Sequence, residues 1–271
     1  MTVPKIALCF YGIARSLPQT APLIHEQITG PLQNHADILR LGHFFDKSAE
    51  ADEPVEHDVC ALLGLDEIQQ EAPGACLEQW DFNALLAAGD YWNNGGVSLR
   101  NLIHQLHSLK QVTQMALRHD VTHCMFLRPD LLYHDSFAPH LNRMLATPAP
   151  LAMIPNWQHW KGGMNDRFAF CIGPEAIRAW GMRADLMHRY CQMTQTPLQS
   201  ERLVAFALWA HGIPDQSLRI RASRLRANGI QVKEDFHPHP LRRFRQRRRL
   251  MGNWKRRGIA RGFARGFACP S

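Results

Sequence analysis

The chain has 271 residues, 45% of them apolar and 20% charged, a globular composition that excludes disorder, collagen and a coiled coil. Its length suits one domain or at most two, and no stretch approaches the roughly 18 uncharged apolar residues that a bilayer-spanning helix needs. The net charge of +7 is unevenly placed: residues 1–217 hold 15 Lys and Arg against 22 acids, and residues 218–271 hold 16 against 2. An acidic body with a strongly basic end calls for an anionic partner at that end, either nucleic acid or a membrane surface.

The opening MTVPKIALCFYGIARSL lacks the basic start and small-residue cleavage site of a signal peptide. Residues 5–11 instead predict a buried strand that exits at Gly12. A helix is expected over 17–28 with Ser16 as its cap, and a second strand over 36–43. Residues 46–58 are acidic and polar and read as an exposed loop, whereas 59–92 carry no clear pattern. After the breaker Asn93-Asn94-Gly95-Gly96, Ser98 is expected to cap the most regular helix of the chain. Leu99, Leu102, Ile103, Leu106, Leu109, Val112 and Ala116 recur there at the spacing of one buried face. Strands are expected at 121–127, 151–154 and 167–172, and helices at 174–180 and at 200–210, the latter capped by Ser200. Strands alternating with helices predict an α/β fold with a mostly parallel central sheet. Seven cysteines, an odd number without a CxxC pair, read as buried free thiols of a reducing compartment rather than zinc ligands.

Ligands of open α/β sheets bind beyond the carboxyl ends of the strands, which directs attention to four strand or helix ends. At the first, Tyr11-Gly12-Ile13-Ala14-Arg15-Ser16, Gly12 lets backbone approach a ligand and Arg15 can fork onto a phosphate; the alternative is a tight turn with a surface arginine. Neither a G-x-G-x-x-G fingerprint nor a Walker A sequence is present. The second is Arg128-Pro129-Asp130, where Asp130 can hold Mg²⁺ or Mn²⁺ through oxygen or simply pair with Arg128. The third is PNWQHWKGGMNDR, whose Trp157 and Trp160 offer stacking faces for a sugar beside Asn165, Asp166 and Arg167, or else form a surface loop. The fourth is Ser200-Glu201, with Glu201 either functional or complementing the helix dipole. His237-Pro238-His239-Pro240 reads as a rigid linker rather than a metal site, and no G-x-S-x-G elbow exists for an esterase-type triad.

The segments IALCFYGIARSL, SLRNLIHQLHSLKQV, FLRPDLLYHD, IPNWQHWKGGMNDRFAF and SERLVAFAL, in this order over roughly residues 5–215, resemble glycosyltransferase-like proteins of bacteria and plants found among surface-polysaccharide genes. The resemblance implies a GT-A-like nucleotide-sugar-binding domain over residues 1–240, with a basic amphipathic tail at 241–271 outside it. GT-A enzymes commonly hold a divalent cation and the donor diphosphate with a D-x-D motif. Here the matching place reads Arg128-Pro129-Asp130, so Arg128 would neutralise part of the diphosphate while Asp130 holds Mn²⁺, Mg²⁺ or a sugar hydroxyl. On this resemblance Tyr11, Gly12, Arg15, Arg128 and Asp130 bind the donor, and Trp157, Trp160, Asn165 and Arg167 bind sugar. Asp166 and Glu201 become the catalytic carboxylates. The implied reaction moves a sugar from a nucleotide-diphosphate donor to a glycan or lipid-linked acceptor, in the cytoplasm at the inner face of the membrane. The tail would lay Leu250, Met251, Trp254, Ile259, Phe263 and Phe267 on anionic lipid. A nucleic-acid-binding protein acting through the tail, and a non-catalytic glycan- or nucleotide-binding relative, are the alternatives.

Overall fold

The computed structural model describes residues 4–46 and 58–266. Most of the acidic loop expected at 46–58, together with Phe267 and Cys269, lies outside them.

The described residues form nine strands: β1 (Lys5–Gly12), β2 (Asp37–Phe45), β3 (Glu67–Glu71), β4 (His123–Leu127), β5 (Leu131–Tyr133), β6 (Leu151–Pro155), β7 (Ala169–Ile172), β8 (Asp215–Leu218) and β9 (Ala222–Arg224). Seven of them form one sheet in the order β3-β2-β1-β4-β7-β6-β8. The pairs β1/β2, β1/β4, β2/β3 and β6/β8 are parallel, whereas β7 runs antiparallel to both β4 and β6. The fold is therefore α/β with a mostly parallel sheet. Strands β5 and β9 pair separately as an antiparallel ribbon, Leu131 opposite Arg224.

Alternation along β1 divides the core. Ala7, Cys9 and Tyr11 point to the side covered by the long helix Val97–Leu117, and Ile6, Leu8 and Phe10 point to the side covered by the helix Leu17–Ile24. A run of seven buried residues fits a central strand covered on both faces. The helical spacing seen over 99–116 accordingly faces the sheet.

Local starts differ from expectation. Gly96, not Ser98, precedes the long helix with φ 81°, and Asp90 receives the Trp92, Asn94 and Gly96 amides in its place. Gln199, not Ser200, caps the helix Ser200–His211: its side chain accepts from the Arg202 amide at 3.0 Å. Ser16 occupies the cap position but turns its hydroxyl to the Arg226 carbonyl. The expected helix over 17–28 passes into a π-helical turn at His25–Thr29.

The basic segment folds back. Its helix Pro240–Arg256 lies against residues 160–162, and Trp254 is 2% exposed, edge-on to Phe206 at 5.5 Å. Ile259 and Ala264 are buried as well, with Leu250, Met251 and Phe263 packed on the same core. The apolar face expected to meet lipid is thus turned inward, because the Ser200–His211 helix would otherwise leave Phe206 and Trp209 uncovered. Arg243 and Arg247 also point inward, to Asp215. Among the described residues no helix is long and apolar enough to cross a membrane.

Candidate functional site

A cleft of about 300 Å³ opens beyond the carboxyl ends of β1 and β4, where the sheet order predicts one. Gly12 ends β1 with φ 100°, a conformation that favours glycine. Its amide donates to Ser108 Oγ at 2.8 Å, and Ser108 donates on to the His43 carbonyl at 2.6 Å, so the β1 exit is tied to the long helix and to β2.

One wall is an arginine clamp. Arg128 Nε and Nη2 donate to the two Asp130 oxygens at 2.9 and 2.7 Å, and Arg15 Nη2 donates to Asp130 Oδ2 at 3.3 Å. Arg128 Nη1 also reaches Gln105 Oε1 at 3.2 Å. Burial alone would raise the Asp130 pKa, but the charges and hydrogen bonds of Arg128 and Arg15 outweigh it and lower the value to about 2. Both arginines line the cleft, together with Arg167, Arg224 and Arg226.

The same cleft is lined by the carboxyl groups of Asp166 and Glu201. Ser200 Oγ donates to Asp166 Oδ2, and Gln199 Nε2 donates to Glu201 Oε2. Close approach of the 160–167 loop to this helix makes that pairing possible. A Cβ on Gly163 would lie within 2.6 Å of Arg202 N, and the Met164 amide donates to the Glu201 carbonyl at 2.8 Å. Burial first, and then the neighbouring Asp166, raise the Glu201 pKa to about 8. Glu201 therefore carries its proton at neutral pH. Fully buried Arg183, which does not line the cleft, interacts electrostatically with Tyr11 and Asp166.

Of the residues expected from sequence, Gly12, Arg15, Arg128, Asp130, Asp166, Arg167 and Glu201 meet in this cleft. Four do not line it. Tyr11 is fully buried and donates to the Arg167 carbonyl at 3.2 Å, a post beneath the loop. Asn165 is buried too, donating to the Trp157 carbonyl and accepting from the Arg167 amide. Trp157 is 1% exposed, donates to the Ile220 carbonyl at 2.7 Å and packs edge-on against Phe236, so it has no face to offer a sugar. Trp160 is half exposed, outside the cleft. Sequence reading missed Gln105, Arg224, Arg226 and the buried Glu234, which accepts from Arg167 at 3.2 Å and Arg224 at 2.9 Å. Glu234 was one of only two acids in the basic end, and that isolation was the available signal.

Two places can be tested for a divalent cation. At Asp130 the fit fails: both oxygens already accept from guanidinium groups, whose charge repels a cation. Elsewhere, His43, Glu71 and His107 offer ligand atoms within 4.8 Å of one another. Both His43 ring nitrogens are buried without a hydrogen bond, and His107 Nε2 contacts Glu71 Oε1. Trp80 Nε1 donates to His107 Nδ1 at 2.9 Å, however, which puts the His107 proton on Nε2 facing Glu71. A metal on Nε2 needs the opposite tautomer, with Nδ1–H against the indole N–H. Two imidazoles also suit softer metals than Mg²⁺ or Mn²⁺.

No family model and no curated protein matches the chain. Among solved structures, the apo crystal structure of mouse xyloside xylosyltransferase 1 is similar over 80% of this chain and 85% of that one, at 12% identity and a TM-score of 0.43.

Proposed function

We propose that the protein is a glycosyltransferase that moves a sugar from a nucleotide-diphosphate donor to a hydroxyl of a glycan or lipid-linked acceptor in cell-surface polysaccharide synthesis. One observation carries this reading: a clamp of two arginines at the ends of β1 and β4 shares a single cleft with a hydroxyl-held carboxylate. A departing diphosphate needs positive charge fixed in advance, and Arg15 and Arg128, held rigid by Asp130, supply it. Ser200 occupies Asp166 Oδ2, which leaves Oδ1 to take the proton of the acceptor hydroxyl as the new glycosidic bond forms. Glu201, protonated, donates a hydrogen bond to a sugar hydroxyl. No step is routed through Mg²⁺ or Mn²⁺, because the guanidiniums occupy the place at Asp130 that such an ion would take.

A thermal-shift screen against nucleotide sugars tests the reading, since a ligand stabilises by mass action without knowledge of the acceptor. At least one donor is expected to raise the melting temperature, in EDTA as well as in Mn²⁺. No shift with any donor in either buffer would overturn it. The alternative of a non-catalytic binder is distinguished by Asp166→Asn, which should retain donor binding and lose transfer.

A further inference from the structure

Beyond the cleft, two cavities of about 370 and 320 Å³ lie between the arginine-rich helix Pro240–Arg256 and the start of the Ser200–His211 helix. They share Arg202, Leu250 and Asn253. Arg256 and Arg257 line the first and Lys161 and Arg249 the second. No acid lines either one, and among the described residues none of these five cations is ion-paired to a carboxylate. The helix dipole at its carboxyl end accounts for a cation at Arg256, but not for Arg249 in mid-helix or for Arg202 near the amino end of another helix. Five like charges gathered on a concave surface repel one another until an anion joins them.

The backbone is arranged to bring these charges together. Gly162 has φ 88°, and a Cβ there would lie 2.7 Å from the Gln246 carbonyl oxygen, so only glycine lets the 160–162 turn touch the helix. Arg202 Nε then donates to the Lys161 carbonyl at 3.4 Å. Arg202 directly follows Glu201, so the cavities and the catalytic cleft flank the same first helical turn.

We infer that this double cavity is a second anion site, which receives a phosphate or diphosphate group on the acceptor while the arginine clamp receives that of the donor. The inference rests on the glycosyltransferase reading for the word acceptor; the anion site itself does not. Leu250 and buried Trp254 form the apolar part of its wall and suit a group whose phosphate is joined to an apolar chain. The phosphate has two possible sources, a soluble phosphorylated acceptor or a lipid headgroup.

The test uses the full chain with its donor cleft saturated by a nucleotide diphosphate. Calorimetric titration with inorganic pyrophosphate should then show one further saturable site. Arg249→Gln combined with Arg256→Gln, one exposed side chain from each cavity, should weaken that site at least about tenfold and leave the nucleotide affinity unchanged. Arg242→Gln combined with Arg245→Gln, on exposed residues that line neither cavity, should leave it intact. Sedimentation with phosphatidylglycerol vesicles separates the sources: vesicle binding lost with the first pair only marks a lipid headgroup, and unchanged or absent vesicle binding marks a soluble phosphate. Absence of the second pyrophosphate site, or equal losses in both pairs, would overturn the inference. Failure of the nucleotide diphosphate to bind at all would instead overturn the donor reading.

Discussion

Asp166 and Glu201 are neighbouring carboxyl groups with different surroundings, and the roles proposed for them rest on this difference. Asp166 is held by the Ser200 hydroxyl, while burial keeps Glu201 protonated up to about pH 8. Asp166→Asn should therefore lower turnover by about a hundredfold or more, the usual loss for a general base, without weakening donor binding. Glu201→Gln, which preserves a neutral donor, should cost far less. The pH dependence follows the same assignment. In the proposed reaction Glu201 works as the neutral acid, so kcat/KM should fall as pH rises through about 8, and this limb should be absent in Glu201→Gln. Stability should behave in parallel. A carboxyl whose folded pKa exceeds its ordinary 4.5 holds a proton that the unfolded chain has released, so its contribution declines as pH rises from about 4.5 to 8. Thermal melts should thus show Glu201→Gln more stable than wild type at pH 9 and nearly equal at pH 4; the opposite order would contradict a buried neutral Glu201.

Single residues were legible where a sequence rule fixes their place and illegible where contact is long-range. Arg15, Arg128 and Asp130 follow strand ends, so the topology of an α/β sheet places them together. The Ser200 bond to Asp166 spans 34 positions and leaves no local trace. Trp157 and Trp160 share one loop, yet one is core and the other half exposed. An aromatic ring next to glycine and polar groups has the same sequence signature in either setting.

At the scale of elements, the apolar runs at β1, β4, β6 and β7 and the 3.6-residue spacing of the long helix were readable because burial imposes them. Strands β3, β5, β8 and β9 were missed. EIQQE and DQSL carry little apolar pattern, since both lie at the edges of the main sheet with exposed side chains, and β5 and β9 are three-residue strands of the separate ribbon. The amphipathic pattern of the arginine-rich helix was real, but the same stripe serves lipid or a protein core, and here the core of Phe206 and Trp209 takes it. The contact between the 160–167 loop and the Ser200–His211 helix depends on Gly163. Gly163→Ala would set a methyl group against the Glu201–Arg202 backbone, which side-chain motion cannot relieve. It should lower the melting temperature by several degrees and impair transfer, whereas Gly74→Ala, with open space around the new Cβ, should be neutral.

For the whole molecule, the division of charge seen in the sequence acquires a location. The described part of the basic end is not an appendage: it returns to the body, where Arg247 pairs with Asp215, Arg221 with Asp135 and Arg224 with Glu234, and it places Arg249, Arg256 and Arg257 around two cavities that no acid lines. Five arginines line the cleft, Arg15, Arg128 and Arg167 from the acidic body and Arg224 and Arg226 from the basic end. In the proposed reaction these arginines, and not a metal ion, hold the donor. Calorimetric titration of a nucleotide diphosphate in EDTA, with wild type and Arg15→Gln side by side, tests it most directly. Saturable binding by wild type that weakens about tenfold or more in the variant is the expected result; binding that requires Mn²⁺, or that ignores the loss of Arg15, would contradict it.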